Sequence, residues 1–233
     1  MTNFFGQRRA VLGLGGWALW LGALGVGALG AVAFSAQANS VDLLAQFMKQ
    51  TNSGRADFTQ VVTSPSRAGQ PTRAKTSSGR FEFQRPGQFR FDYLKPFVQT
   101  LVADGQTLWL HDLDLNQVTA QSQQKVLGST PAALLTAASD LRALQADFQF
   151  SPEPDQGGLQ WVRAMPQAPD GQIRAVMVGL RVSPSGPELA VLDVQDSLGQ
   201  RSVLTFTGFQ NNPSLPANSF VFKAPPGADI IRP

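Results

Sequence analysis

The sequence predicts a mainly β protein, an antiparallel sheet with a few helices packed on one side. Three observations carry that reading. From residue 56 onward, apolar and polar residues alternate with a period of two in most segments. Turns rich in Gly, Pro, Asp and Ser separate those segments. Only two stretches have helical spacing, and they do not alternate with strands, which argues against a doubly wound fold.

In NSVDLLAQFMKQTNSG, the residues Val41, Leu44, Phe47, Met48 and Thr51 recur at helical spacing and form one apolar face. Ser40 is the expected N-cap, Asp42 suits the first turn, and Gly54 is the expected stop. In GSTPAALLTAASDLRALQ, Thr130 precedes Pro131 at the first helical position. Leu134 and Leu135 follow, and a short further turn runs through Leu141 and Leu144.

The strands follow in order. ADFTQVVTS (56–64) runs to Pro65, and SRAGQPTRAKTSS reads as a polar loop. RFEFQ (80–84) and QFRFDY (88–93) are joined by a turn at Arg85-Pro86-Gly87. Asp104-Gly105, between the apolar runs of TLVADGQTLWLHDLDL, is a strong hairpin signal. NQVTAQ, ADFQFS, LQWVRAMP, QIRAVMVGLRVS, LAVLDVQDS, SVLTFTGFQ and SFVFKAP bring the count to about ten strands.

The first 38 residues stand apart. Arg8 and Arg9 precede a long uncharged run, and Ala-Gln-Ala closes it at 36–38. A basic start, an apolar middle and small residues at the end read as a secretory signal, with cleavage expected after Ala38; a retained anchor is the alternative, since the run is about as long as a membrane span needs. Residues 39–233 then form one domain. Without the two leader arginines, 17 basic side chains face 16 acidic ones, a net charge of +1. That balance gives no electrostatic case for nucleic acid. With no Cys in 233 residues, disulfides, a thiol nucleophile and a lipid-modified N-terminal cysteine are all excluded.

Candidate chemistry is sparse. His111 is the sole histidine, and strand alternation sends the neighbouring Asp112 to the opposite face. A surface or hairpin-edge position is the expectation for it, and no metal site or cofactor is predicted. Carboxylate pairs such as Asp193 with Asp196 have no matching cluster. The sequence makes no positive case for an enzyme; a hydrolase built on His111 would be the only such reading.

The prominent feature is apolar surface. Phe81, Phe83, Phe89, Phe91, Leu101, Leu108 and Trp109 lie on closely linked strands. They fit either a plain core or the lining of a ligand cavity. By the alternation count, Arg85 falls on the same face as the phenylalanines. A buried cation needs acceptors, and helix C-termini have unpaired carbonyls. Equally, a residue beside Pro86-Gly87 can point into solvent.

Several of these segments resemble one family. DFTQ at 57–60, GRFEFQRPGQFRFDY at 79–93, DGQTLWL at 104–110, GSTPAALL at 128–135 and SFVFKAPPGADII at 219–231 match, in order and spacing, the LolA family of periplasmic lipoprotein carriers. The resemblance spans nearly all of 39–233, although 146–200 match in strand pattern only. It implies an incomplete, strongly curved antiparallel barrel of about ten to eleven strands, with a helical lid over a hydrophobic cavity. The lid would be the helices carrying Val41, Leu44, Phe47 and Met48, and Leu134 and Leu135. Arg85 takes the place of the arginine that bonds to the lid and holds the closed form.

The function so implied is a monomeric periplasmic chaperone that accepts acylated lipoproteins. They would come from an ABC-type inner-membrane complex (LolCDE-like) and go to the outer-membrane receptor LolB or a substitute. LolB has a similar fold but is itself a lipoprotein, which the absence of Cys argues against. The alternative is a lipid-sensing or regulatory periplasmic domain on the same fold.

Overall fold

The computed structural model describes residues 39–65, 72–124, 136, 140–168 and 172–233. The leader, and the predicted helix with Leu134 and Leu135, lie outside the described residues.

The chain opens with α1 (Ser40–Gln50). Asn39, not Ser40, caps it, its Oδ1 accepting from Val41 N at 3.2 Å. Leu43, Leu44, Phe47 and Met48 are buried, so the apolar face is a little wider than the spacing alone marks. The helix ends at Gln50, before Gly54, because the end of the last strand but one supplies polar groups there. Asn212 donates from Nδ2 to the Gln50 carbonyl at 2.8 Å and accepts from Asn52 N at 2.7 Å. Gly54 serves a different purpose, lying within the first strand where a Cβ would collide with the Phe83 ring.

The strands are β1 (Ser53–Ser64), β2 (Arg73–Gln84), β3 (Gln88–Lys95), β4 (Gln99–Asp104), β5 (Thr107–Asp112) and β6 (Gln117–Ser122). After α2 (Leu141–Leu144) come β7 (Phe148–Gln156), β8 (Leu159–Pro166), β9 (Ile173–Ser183), β10 (Gly186–Asp196), β11 (Arg201–Asn211) and β12 (Asp229–Ile231). Among the described residues these twelve form one sheet in the order β12-β6-β5-β4-β3-β2-β1-β11-β10-β9-β8-β7. Every pairing is antiparallel except that of β12 with β6.

The sheet curls over its own inner face. Residues of β1–β4 and of β8–β11 belong to one buried cluster with α1 and α2. At Gly79, where the β2–β3 register shifts, a Cβ would collide with the Asp92 carbonyl, so only glycine fits. The edge strand β7 carries Pro152 and Pro154, which blunt an edge by removing ladder donors.

Two sequence expectations are corrected here. The polar stretch RAKTSS is strand rather than loop: β2 starts at Arg73, and the ladder to β1 runs on to Ser64. Exposed polar side chains hide the signal, but backbone pairing does not need an apolar face. Conversely, SFVFKAP is irregular. Phe220 is buried and Phe222 stacks on Trp109 with centroids 5.2 Å apart. The alternation is therefore satisfied by packing on the outer wall rather than by a ladder.

Candidate functional site

The inner face is aromatic because β2 and β3 present alternate residues to it. Register pairs Phe81 with Phe91 and Phe83 with Phe89. The Phe81 ring sits 4.5 Å from Phe91, 5.7 Å from Phe83 and 5.3 Å from Phe206 of β11. Phe58 meets Phe91 edge-on at 5.3 Å. Tilted and edge-on pairs of this kind contribute about 0.5–1.5 kcal/mol beyond their burial.

Arg85 lies at one end of this stack and is 8% exposed. One guanidinium nitrogen, Nη1, donates to the Thr51 carbonyl and, at 3.3 Å, to the Met48 carbonyl. Both carbonyls belong to the C-terminal end of α1, where the helix leaves them unpaired. The guanidinium carbon stands 5.1 Å from the Phe83 ring centre and 5.4 Å from that of Phe47. The other two nitrogens, Nε and Nη2, have no hydrogen-bond partner among the described residues. Burial accordingly lowers the Arg85 pKa to about 10.

The turn that carries Arg85 is itself braced. Arg85 N donates to the Asn52 carbonyl at 2.8 Å. Gln123, 2% exposed, spans two turns: its Nε2 donates to the Gly87 carbonyl and its Oε1 accepts from Gly105 N at 2.9 Å. Gln123 carries no signal in the sequence, because it sits in a polar run. Asn211 and Asn212 are also unsignalled; Asn211 Oδ1 accepts from Thr51 Oγ1 at 2.9 Å, tying the same helix end to β11.

An open cavity of about 610 Å³ lies toward the opposite end of the inner face. Phe89, Phe91, Tyr93 and Leu101 form one wall, and Leu192, Val194 and Leu204 the facing wall. Ile173, Gln172 and Leu198 complete its rim. Leu198, in the β10–β11 turn, is 82% exposed. Tyr93 donates its hydroxyl to Gln60 Oε1 at 3.0 Å, and burial raises its pKa to about 12.

The predicted residues thus divide. Phe89, Phe91 and Leu101 line the open cavity. Phe81 and Phe83 are fully buried, and Leu108 packs against the same cluster. Val41, Leu44, Phe47 and Met48 lie on α1, which packs against β7–β10 and α2. Trp109 is not on this face. It follows Leu108 directly, and neighbours on a strand point to opposite sides; its Nε1 donates to Asp104 Oδ2 at 2.8 Å on the outer wall. His111, two residues on, shares that wall and is buried beneath the C-terminal segment rather than exposed. Among the described residues no cluster of three or more His, Cys, Asp or Glu could hold a metal.

A curved open sheet with an apolar cavity on its inner face and a helix packed beside it is the architecture of a binding protein for an apolar ligand. Comparison with known proteins gives the family. The model of the outer membrane lipoprotein carrier protein LolA matches residues 49–223. The chain is 61% identical to the outer-membrane lipoprotein carrier protein of Albidiferax ferrireducens over 84% of its length and 92% of the relative's. It is 47% identical to that of Leptothrix cholodnii, over 97% of this chain and 98% of the other. A solved LolA superfamily protein from Nitrosomonas europaea aligns with a TM-score of 0.44 at 12% identity, covering 79% of this chain and 98% of that one. The chain belongs to the LolA family.

Proposed function

We propose that the protein is a periplasmic carrier that takes acylated lipoproteins from the inner membrane and passes them to an outer-membrane acceptor. The observation that carries this is the apolar cavity of about 610 Å³ between Phe89, Phe91 and Leu101 on one wall and Leu192, Val194 and Leu204 on the other. Burying a methylene is worth about 0.8 kcal/mol, so a 16-carbon chain is worth on the order of 12 kcal/mol. An acyl chain of that length does not cross water unaided at a useful rate. A carrier must hide it and still give it up.

In this reading the leader is cut after Ala38 and the domain 39–233 works as a monomer in the periplasm. Acyl chains enter past Leu198 and fill the cavity. Arg85 acts as a latch on α1, and chains that reach the aromatic stack compete with α1 for it. Breaking the two bonds to Met48 and Thr51 stores a cost in the loaded form that favours release. Membership of the LolA family suggests an ABC-type extraction complex (LolCDE-like) as donor and LolB or a substitute as acceptor. No catalytic step is required of any residue.

The test is purification of the protein from an envelope extract, followed by mass spectrometry of what accompanies it. Acylated proteins are expected, and they should be depleted when Leu204→Trp narrows the cavity. Recovery without acylated proteins, or equal loading of the variant, would overturn the reading.

A further inference from the structure

We propose that the outer wall carries a second binding site, for a carboxylate of an acidic peptide segment on a protein partner. A cleft of about 450 Å³ lies there, between β3–β5 and the segment that returns along the wall before β12. It is lined by Arg90, Thr100, His111, Asn218, Phe222 and Lys223, with Val221 beside them. The acyl cavity lies on the other face of the same strands, since Phe89, Phe91 and Leu101 alternate with Arg90 and Thr100.

The decisive group is His111. It is 8% exposed, and its Nε2 has no hydrogen-bond partner among the described residues. Buried polar groups are nearly always satisfied, and an orphan asks for an explanation. The Phe222 ring closes over it, with centroids 6.1 Å apart. That ring belongs to an irregular segment outside the ladder, so it can yield to a ligand more readily than a strand.

The charges around the orphan fix the class of ligand. Arg90 gives Nε to Asp92 at 2.7 Å, but its Nη1 has only a long contact of 3.4 Å, to the Ser219 carbonyl. Asp92 is already held by Arg90 and by Thr100 Oγ1 at 3.0 Å, which neutralises one cation. Lys223 makes no ion pair among the described residues. One uncompensated positive charge, a weakly engaged guanidinium nitrogen and an unpaired imidazole nitrogen together favour a planar two-oxygen acceptor.

A peptide source suits the wall. The segment around Asn218 and Val221 runs without ladder pairing; Ser219 N and Val221 N are spent on the Pro216 and Asn218 carbonyls at 3.0 and 3.1 Å, so it meets an extended chain with its side chains. Val221, 54% exposed, gives such a chain an apolar neighbour. A partner seated here leaves the inner cavity free, so docking and lipid exchange proceed on opposite faces of one sheet. That consequence rests on the carrier reading; the site itself does not.

The test uses the single histidine of the chain, whose imidazole signals in NMR need no further assignment. Titration of the purified protein with an end-blocked Gly-Glu-Gly-Glu-Gly peptide should shift those signals saturably. The lysine counterpart should not. Lys223→Gln, at an exposed position, should weaken binding about tenfold and leave retention of acylated proteins unchanged. Four results would overturn the proposal: no saturable shift at millimolar peptide, undiminished affinity in both Lys223→Gln and Arg90→Gln, inorganic phosphate binding as tightly as the peptide, or displacement of the peptide by phosphatidylglycerol vesicles. Phosphate would mark an adventitious ion only, and vesicles a membrane headgroup site. Retained lipid in the same samples separates failure here from failure of the carrier reading.

Discussion

Arg85→Leu is the most informative perturbation of the latch. Two hydrogen bonds from a charged donor contribute about 1.5–3 kcal/mol each, hence about 3–6 kcal/mol to the docked α1. Against this stands desolvation. A pKa lowered by burial to about 10 corresponds to about 3 kcal/mol of lost hydration. The difference, about 0–3 kcal/mol, is what Arg85 adds to the closed form over an open form with a hydrated guanidinium. Leucine removes both terms. At about 1.4 kcal/mol per tenfold, the variant should hold its cargo about tenfold more tightly and transfer it correspondingly less. The assay loads both proteins with one acylated lipoprotein and follows its appearance on acceptor membranes, with amide exchange of α1 measured alongside. Equal or faster transfer by Arg85→Leu would refute the latch.

Two further outcomes follow from the same geometry. Tyr93 is the only tyrosine of the chain, so its tyrosinate absorbance reports one site. With its pKa raised to about 12 by burial, its stabilising effect is complete below pH 10 and disappears as pH rises through 12. Spectrophotometric titration should show a midpoint near 12 in the folded protein and near 10 in denaturant; a folded midpoint near 10 would mean the cavity wall is wet. Gln123→Leu removes the bonds to the Gly87 carbonyl and Gly105 N, leaving two backbone groups unpaired at about 1–3 kcal/mol each. Its Tm should fall by several degrees, at about 2–4 °C per kcal/mol for a chain of this size, and a Tm within a degree of wild type would deny Gln123 its bracing role.

Much of this was legible because strand alternation is a local property. The period-two pattern in 79–93 placed Phe81, Phe83, Phe89 and Phe91 on one face, and the register agrees. The same rule, not applied to Leu108 and Trp109, would have put the tryptophan outside. What resisted reading is what depends on distant partners. Gln123 matters because two turns far apart in sequence converge on it, and Asn212 because a helix ends beside the end of β11. Neither relation leaves a periodic trace. The burial of His111 depends on a segment more than a hundred residues later folding back across the wall, with Phe222 over the imidazole.

The placement of latch and cavity bears on how such a carrier could work. The turn with Arg85 follows the last residues of β2, whereas Tyr93 and Leu198 mark the far end, where β10 turns into β11. Between them run Phe83, Phe81 and Phe91 in ring contact. A chain entering past Leu198 therefore reaches Phe91 first and Arg85 last. Short acyl chains should fill the cavity without touching the latch, and only longer ones, or several, should press on the stack that backs onto Phe83 and Phe47. If the latch supplies the drive for release, Arg85→Leu should slow transfer of long-chain cargo and leave short-chain cargo unaffected. An equal effect on both would mean that Arg85 steadies α1 irrespective of what the cavity holds.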